Sequence, residues 1–404
     1  MTSLARFINR SAYINRIIPF MRKNLIKVLS GQRRVGKSYL MFQLIADIKK
    51  TDKSANVIYI NKEDLQFDFI KNAQDLNTYI LSKIKPDQPN YIFIDEIQDI
   101  FEFEKALRSL LLDENNDIYI TGSNAKMLSG ELATYLSGRY IEFTIYSLSY
   151  QEFLLFHKLE DNDLSMDHYF KFGGLPYLIN LPLTDQVFEY LSSVYSTIIF
   201  RDVVGRYNLR NSNFLEKLVV FIADHIGSLF SAKRISDFLK SQQTNIAPNQ
   251  IQLYTSYLTS AFIIHEVNRY DVLGKRIFEI GSKFYFENTG IRNAIMGYHV
   301  KDRAKLLENV VYNQLLYLGY NVKVGILNAQ EIDFVCEREH ELIYIQVALK
   351  LDSEQTIERE FGNLLKIEDN YPKYVITQSK FEGNTYQGIQ HVYVRDFLMW
   401  KREN

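Results

Sequence analysis

Two glycines with four residues between them, the second followed at once by lysine and serine, stand in Gly31-Gln32-Arg33-Arg34-Val35-Gly36-Lys37-Ser38. That spacing suits the binding of phosphate. The glycines let the backbone curl until successive N–H groups point inward, and the positive end of a following helix adds to the field. Lys37 is placed to reach the β- and γ-phosphates of a nucleotide, and the Ser38 hydroxyl to take one position on Mg²⁺. The nucleotide-contacting stretch is expected to run from Gly31 through Gln32, Arg33, Arg34, Val35, Gly36, Lys37 and Ser38 to Tyr39.

Tyr91-Ile92-Phe93-Ile94-Asp95-Glu96 places two acids after four apolar residues. Asp95 is suited to hold Mg²⁺, mostly through water, because this ion dehydrates reluctantly. Glu96 is suited to polarise a water for attack on the γ-phosphate. Farther on, Gly122-Ser123-Asn124 ends another apolar run, where Asn124 is expected to sense the γ-phosphate or orient the water. Arg139, in Gly138-Arg139-Tyr140, is expected to reach the nucleotide of a neighbouring subunit. A charge supplied in that way is worth ~10³–10⁵ in rate. A surface pair between Arg139 and Glu142 is the plainer alternative.

These residues need a scaffold. An apolar strand at Val28-Leu29 precedes the loop, and Tyr39 to Ile45 follows with helical periodicity. Strands are expected at 56–61, 91–97, 117–121 and 141–145, with helices near 72–85 and 125–137. Fully apolar strands fit a parallel sheet covered on both faces, whose carboxyl ends form the ligand crevice. Residues 1–27 read as a surface helix, with Arg10 or Tyr13 beside the base as an alternative.

Composition narrows the class. The chain has 404 residues, 47% hydrophobic and 24% charged, with 28 Tyr and 27 Phe. This predicts two or three domains with aromatic-rich cores. A net charge of −1 argues against non-specific coating of nucleic acid. The single cysteine, Cys336, excludes an internal disulfide or a cysteine zinc site and suits a reducing cytoplasm. No signal peptide or membrane span is expected; Leu218 to Phe230 is short and broken by Asp224 and His225.

Gly173-Gly174-Leu175-Pro176 predicts a stiff turn between helical segments, and residues 185–210 read as helical. From 212 to 287, three helices and two short strands fit a winged helix. Its second reading helix starts at Pro248 and carries no Lys or Arg; Gln250, Gln252, Thr255, Ser256 and Thr259 are its expected exposed positions. Phosphate contacts would then fall to Lys233, Arg234, Lys240 and the wing formed by the two strands. DNA contact and protein contact both remain open.

The order of the loop, the Asp-Glu strand, Ile120-Thr121-Gly122-Ser123-Asn124 and Gly138-Arg139 resembles the AAA+-type ATPases of bacteria and archaea. The wording is similar to a group that joins this core to a winged helix and a restriction-endonuclease-like domain. The resemblance implies ATP with Mg²⁺ and carries over Gly31, Gly36, Lys37, Ser38, Asp95, Glu96, Asn124 and Arg139. Gly174-Leu175-Pro176 resembles the turn of signal-transducing (STAND-type) ATPases, which implies that Pro176 packs on the adenine. A structural turn alone is the alternative. Residues 303–400 are similar to the PD-(D/E)xK nuclease fold, which implies acids at Glu308 and Asp333. Gln346 stands where a third acid belongs and Ala348 where the lysine belongs, while Lys350 is expected on the same strand face about 6–7 Å farther along. An inactive, binding domain is therefore expected.

The fold expected is α/β: a P-loop core with a parallel sheet (1–160), a helical lid (161–211), a winged helix (212–300) and a nuclease-like domain (301–404). The function expected is a Mg²⁺-dependent ATPase acting as a cytoplasmic, nucleotide-driven switch on DNA, a protein partner or a second copy. An ATP-regulated DNA nuclease is one alternative and a small-molecule kinase another.

Overall fold

Isoleucine, valine and aromatic side chains dominate the strand runs of the first 146 residues; they are buried on both sides of the three central strands of one sheet and largely half-buried on its two edge strands. The computed structural model describes residues 8–125, 135–274, 276–328, 330–381 and 384–402. Most of the helix expected over 125–137, and Phe7 of the N-terminal one, lie outside the described residues. The chain divides between Tyr146 and Ser147 into two compact units, apart from the short stretch Ser260–Phe262, which groups with the first.

The first unit holds five parallel strands: β1 (Ile26–Ser30), β2 (Asn56–Asn61), β3 (Asn90–Asp95), β4 (Asn116–Gly122) and β5 (Tyr140–Thr144). Their order is β2-β3-β4-β1-β5. The chain leaves β1 through α2 (Lys37–Thr51) and returns three places away at β2. The ends of β1, β4 and β3 are thereby neighbours, and each carries candidate residues. α3 (Ala73–Leu81) and α4 (Phe103–Leu110) bury Leu76, Ile80, Phe103 and Leu107 in the same core as Ile58, Ile92 and Ile118.

The N-terminal helix α1 (Ser11–Ile17) buries Tyr13, Ile14 and Ile17 and is not a surface helix. Its register explains the difference: these three positions fall on one helical face, against the unit's core.

In the second unit, helices span Tyr150–His157, Asp163–Phe172 and Val187–Thr197, the last running on into a π-helical stretch, Ile198–Gly205. Three more span Ser212–Asp224, Ala232–Ser241 and Pro248–Ser260. The following hairpin, β6 (Ile264–Asp271) and β7 (Arg276–Phe286), does not stand alone as a wing. β6 pairs in parallel with β8 (Asn321–Leu327), so the hairpin shares one sheet with β9 (Gln330–Arg338), β10 (Glu341–Ala348), β11 (Lys373–Thr377), β12 (Thr385–Tyr386) and β13 (Ile389–Tyr393). That sheet crosses residue 300 without a break. No helix among the described residues is long and apolar enough to cross a membrane.

Candidate nucleotide site

The loop after β1 is shaped by backbone constraint. Gly31 has φ +143, and a Cβ there would lie 2.2 Å from the Ile145 carbonyl oxygen. Arg34 and Gly36 also have positive φ, +73 and +97, which turns the chain into the start of α2. Gly36 offers no side chain to cap that helix. The first-turn N–H groups of α2 have no acceptor within the helix, so its positive end is open to an anion. Lys37 is 5% exposed and donates to the carbonyls of Gly31 (2.8 Å) and Gln32 (2.9 Å), lying over the loop. Both polar atoms of the fully buried Gln32 amide lack a hydrogen-bond partner. Arg34 and Tyr39 are exposed, whereas Val35 is buried.

Arg10 is the support that local sequence patterns did not reveal. It is 4% exposed and donates from Nη1 to the Val35 carbonyl and from Nη2 to the Tyr146 carbonyl, both at 3.0 Å. One guanidinium fork thus ties the loop to the strand end that Gly31 packs against. The Tyr13 hydroxyl accepts the Tyr146 N–H at 3.1 Å.

The two acids sit at the end of β3. Asp95 is 2% exposed and is hydrogen-bonded by Ser38, by Thr121 and, at 3.2 Å, by the Tyr59 hydroxyl. Burial pushes its carboxyl above the usual range and Glu96 adds to the rise, against the Ser38 and Thr121 hydrogen bonds and the Lys37 charge. Glu96 adopts a left-handed backbone, φ +56 and ψ +52, which is uncommon for a residue with a Cβ. Its N–H is held by Thr121 Oγ1 at 2.9 Å. Its carboxylate accepts from Gln98 and, at 3.4 Å, from Ser123. Asn124, the residue after Ser123, is 2% exposed.

Ser38 and Asp95 are hard oxygen donors already in contact, which fits Mg²⁺. Among the described residues no group of three His, Cys, Asp or Glu gathers to hold a metal. Mg²⁺ needs no such group, since it takes its remaining ligands from water and phosphate.

A family model described as an AAA domain matches residues 23–154, and another, described as a domain of unknown function, matches residues 164–302. An uncharacterized protein of Haemophilus influenzae is 36% identical over 400 residues, covering 97% of this chain and 98% of its own length. The chain belongs to that protein's family. A second relative, an uncharacterized protein of Methanocaldococcus jannaschii, is 32% identical over 371 residues, covering 88% of this chain and 80% of its own. Among solved structures, AMPPCP-bound DnaA from Aquifex aeolicus is similar at a TM-score of 0.31 and 13% identity, covering 53% of this chain and 74% of that one. The AAA domain and its loop support a nucleotide-binding ATPase.

Arg139 is outside the crevice of this AAA domain. It is exposed and precedes Tyr140, which pairs with Ile26 at the start of β1. The loop follows the other end of β1, five residues and about 16 Å away along the strand. Pro176 lies in the second unit, opening a short 3₁₀ turn, Pro176–Asn180. The preceding Gly174 is required by packing there, because a Cβ would lie 2.3 Å from the Leu148 carbonyl oxygen.

The second unit also gathers charges. Lys283, 2% exposed on β7, places its ammonium 2.7 Å from Glu308, 2.7 Å from Glu331 and 3.4 Å from Asp333. Burial lowers its pKa, but the three carboxylates outweigh burial and the net shift is upward. Asp333 is pushed up by burial first and then by Glu308. The Tyr285 hydroxyl donates to Glu308 at 2.6 Å, and the Gln346 side-chain carbonyl accepts the Asp333 N–H at 3.3 Å. Lys350 does not share the face expected of it. β10 ends at Ala348, and Lys350 is exposed beyond it, just before Ser353 caps the helix Glu354–Leu365.

On the helix Pro248–Ser260, Gln250 and Gln252 are exposed, but Thr255 is 5% exposed and bonds back to the Ile251 carbonyl. The apolar face of this helix is wider than Ile251, Tyr254 and Leu258 alone suggest.

Proposed function

We propose that the chain is a Mg²⁺-dependent ATPase that works as a nucleotide-driven switch. The observation that carries this reading is the meeting of Lys37, Ser38, Asp95, Glu96 and Thr121 at the carboxyl ends of three neighbouring parallel strands. The loop amides and the uncapped start of α2 receive the phosphates, and Lys37 leaves the Gly31 and Gln32 carbonyls for the β/γ oxygens. Bound at Ser38 and Asp95, Mg²⁺ would supply charge neutralisation of the transferred phosphoryl group. Glu96, aimed by Gln98 and Ser123, accepts a proton from the attacking water. Asn124 orients that water or reads the γ-phosphate.

Arg139 serves a second copy, because its own crevice lies at the far end of the strand. Pro176 is proposed to report the nucleotide from the adenine side. The output is contact with DNA or with a protein partner through the region 212–300, where Lys233, Arg234 and Lys240 are exposed. Lys283 occupies the carboxylate cluster of the second sheet, which weighs against metal-dependent DNA cleavage there.

Titration of the full chain with ATP in Mg²⁺ tests the first step. Lys37→Ala is expected to weaken ATP at least tenfold, about the worth of one charge-assisted hydrogen bond to phosphate. Unchanged affinity in Lys37→Ala would remove the loop from the account.

A further inference from the structure

The loop carries two arginines between its glycines, and only one of them faces solvent. Arg33 is 6% exposed. Its Nη1 lies 3.1 Å from Oε1 of Glu63, whose side chain is 44% exposed. Glu63 follows β2, and the last residue of β2, Asn61, pairs in register with Asp95.

The sheet order makes this pair unusual. β1 and β2 are separated by β4 and β3, three strand spacings or roughly 14 Å. Arg33 starts three residues past the end of β1, and Glu63 two past the end of β2. The side chains therefore span the crevice whose floor is Thr121 at the end of β4 and Asp95-Glu96 at the end of β3. That is the space into which the terminal phosphate and its metal would extend.

We propose that Arg33 is a γ-phosphate-recognising residue held in reserve by Glu63. It rests on the nucleotide-binding reading of the same loop. Without a triphosphate, Glu63 is the acceptor for the guanidinium. A γ-phosphate at the end of β3 offers a more highly charged acceptor in the same crevice, with two oxygens that the planar guanidinium fork can meet at once. Arg33 then changes partner. The exchange is inexpensive on the acid's side, because a carboxylate this exposed is hydrated as soon as it is released. ADP lacks the group that competes, so Arg33 stays with Glu63. The pair thus converts the presence of one phosphoryl group into a link made or broken between the loop and the end of β2. Arg33 and Glu63 also engage further neighbours, so the exchange moves more than one contact.

The test is a comparison of ATP and ADP affinities, with Mg²⁺, in the full chain and three variants. Arg33→Ala is expected to weaken ATP about tenfold, the factor carried by ~1.4 kcal/mol, and to leave ADP within about twofold. Arg33→Lys should recover part of the loss, since it restores charge without the fork. Glu63→Gln removes the competitor and should tighten ATP by about threefold or more without tightening ADP. Equal losses of ATP and ADP in Arg33→Ala would show a merely structural arginine and overturn the proposal. Weaker ATP binding in Glu63→Gln would overturn it as well, and does not require Arg33→Ala to fold. Failure of the parent protein to bind either nucleotide would instead overturn the loop reading itself, and this proposal with it.

Discussion

Thr121 joins the two acids of the crevice: its Oγ1 accepts the Glu96 N–H at 2.9 Å and donates to the Asp95 carboxylate. One hydroxyl thereby fixes the side chain suited to metal and the strained backbone of the residue suited to water. Thr121→Val keeps the shape and removes the hydroxyl, leaving a buried N–H without an acceptor. ATP turnover is expected to fall about 10- to 100-fold, as is typical when a supporting contact to a metal ligand is lost, with ATP affinity changing much less. Thr121→Ser should keep most of the activity. Steady-state phosphate release over an ATP titration separates the two effects.

Arg10 holds two carbonyls, those of Val35 and Tyr146, on one guanidinium. Arg10→Met removes the donor from the buried Val35 carbonyl and the half-buried Tyr146 carbonyl and is expected to cost about 2–4 kcal/mol of stability. Arg10→Lys should recover less than half, because an ammonium lacks the fork. Urea denaturation of the three proteins measures this directly.

Lys283 is paired with Glu308, Glu331 and Asp333 at once. Lys283→Met would leave three carboxylates facing one another and is expected to lose about 3–5 kcal/mol at neutral pH. Asp333 is already pushed up by burial and by Glu308. Without the ammonium the folded form would bind protons more tightly than the unfolded one. The variant's deficit should therefore shrink as pH falls toward 5 and grow as it rises through the raised carboxyl pKa. A deficit that does not vary with pH would contradict this reading of the cluster.

His157 gives the opposite pH sign. Burial, with His168 nearby, lowers its pKa to about 4, and its buried Nε2 has no hydrogen-bond partner. The neutral ring packs against Phe153 with centroids 4.4 Å apart. Its stabilising effect is complete above the unfolded pKa near ~6.5 and is lost as pH falls toward about 4. His157→Phe should flatten that acid slope by about 1–2 kcal/mol, allowing for partial exposure. Thermal melts between pH 7 and pH 4.5 are the check.

Local motifs were legible because their geometry is local. Gly31 to Ser38 is one continuous stretch, and Asp95-Glu96 ends an apolar run that had few structural alternatives to a buried strand. Contacts across the fold were not. Arg10 reaches a carbonyl 136 residues away, and no pattern around it distinguishes a brace from a surface arginine. Lys283 comes from a hairpin that reads as a wing, and only the parallel pairing of β6 with β8 brings that hairpin into the sheet of Asp333. Lys350 misled because alternation was extended past Ala348, where the strand stops before the next helix cap. Thr255 misled for a related reason: a threonine that bonds back to its own helix can be buried among apolar neighbours.

Glu96 is proposed to carry hydrolysis at a nucleotide held by the loop. Phosphate release by the full chain, with ATP and Mg²⁺ at saturating concentration, tests it most directly when the parent protein is compared with Glu96→Gln. Turnover in Glu96→Gln is expected to fall about 10²–10⁴-fold, the range for loss of a general base, while ATP still binds. Turnover in Glu96→Gln equal to that of the parent protein would contradict it.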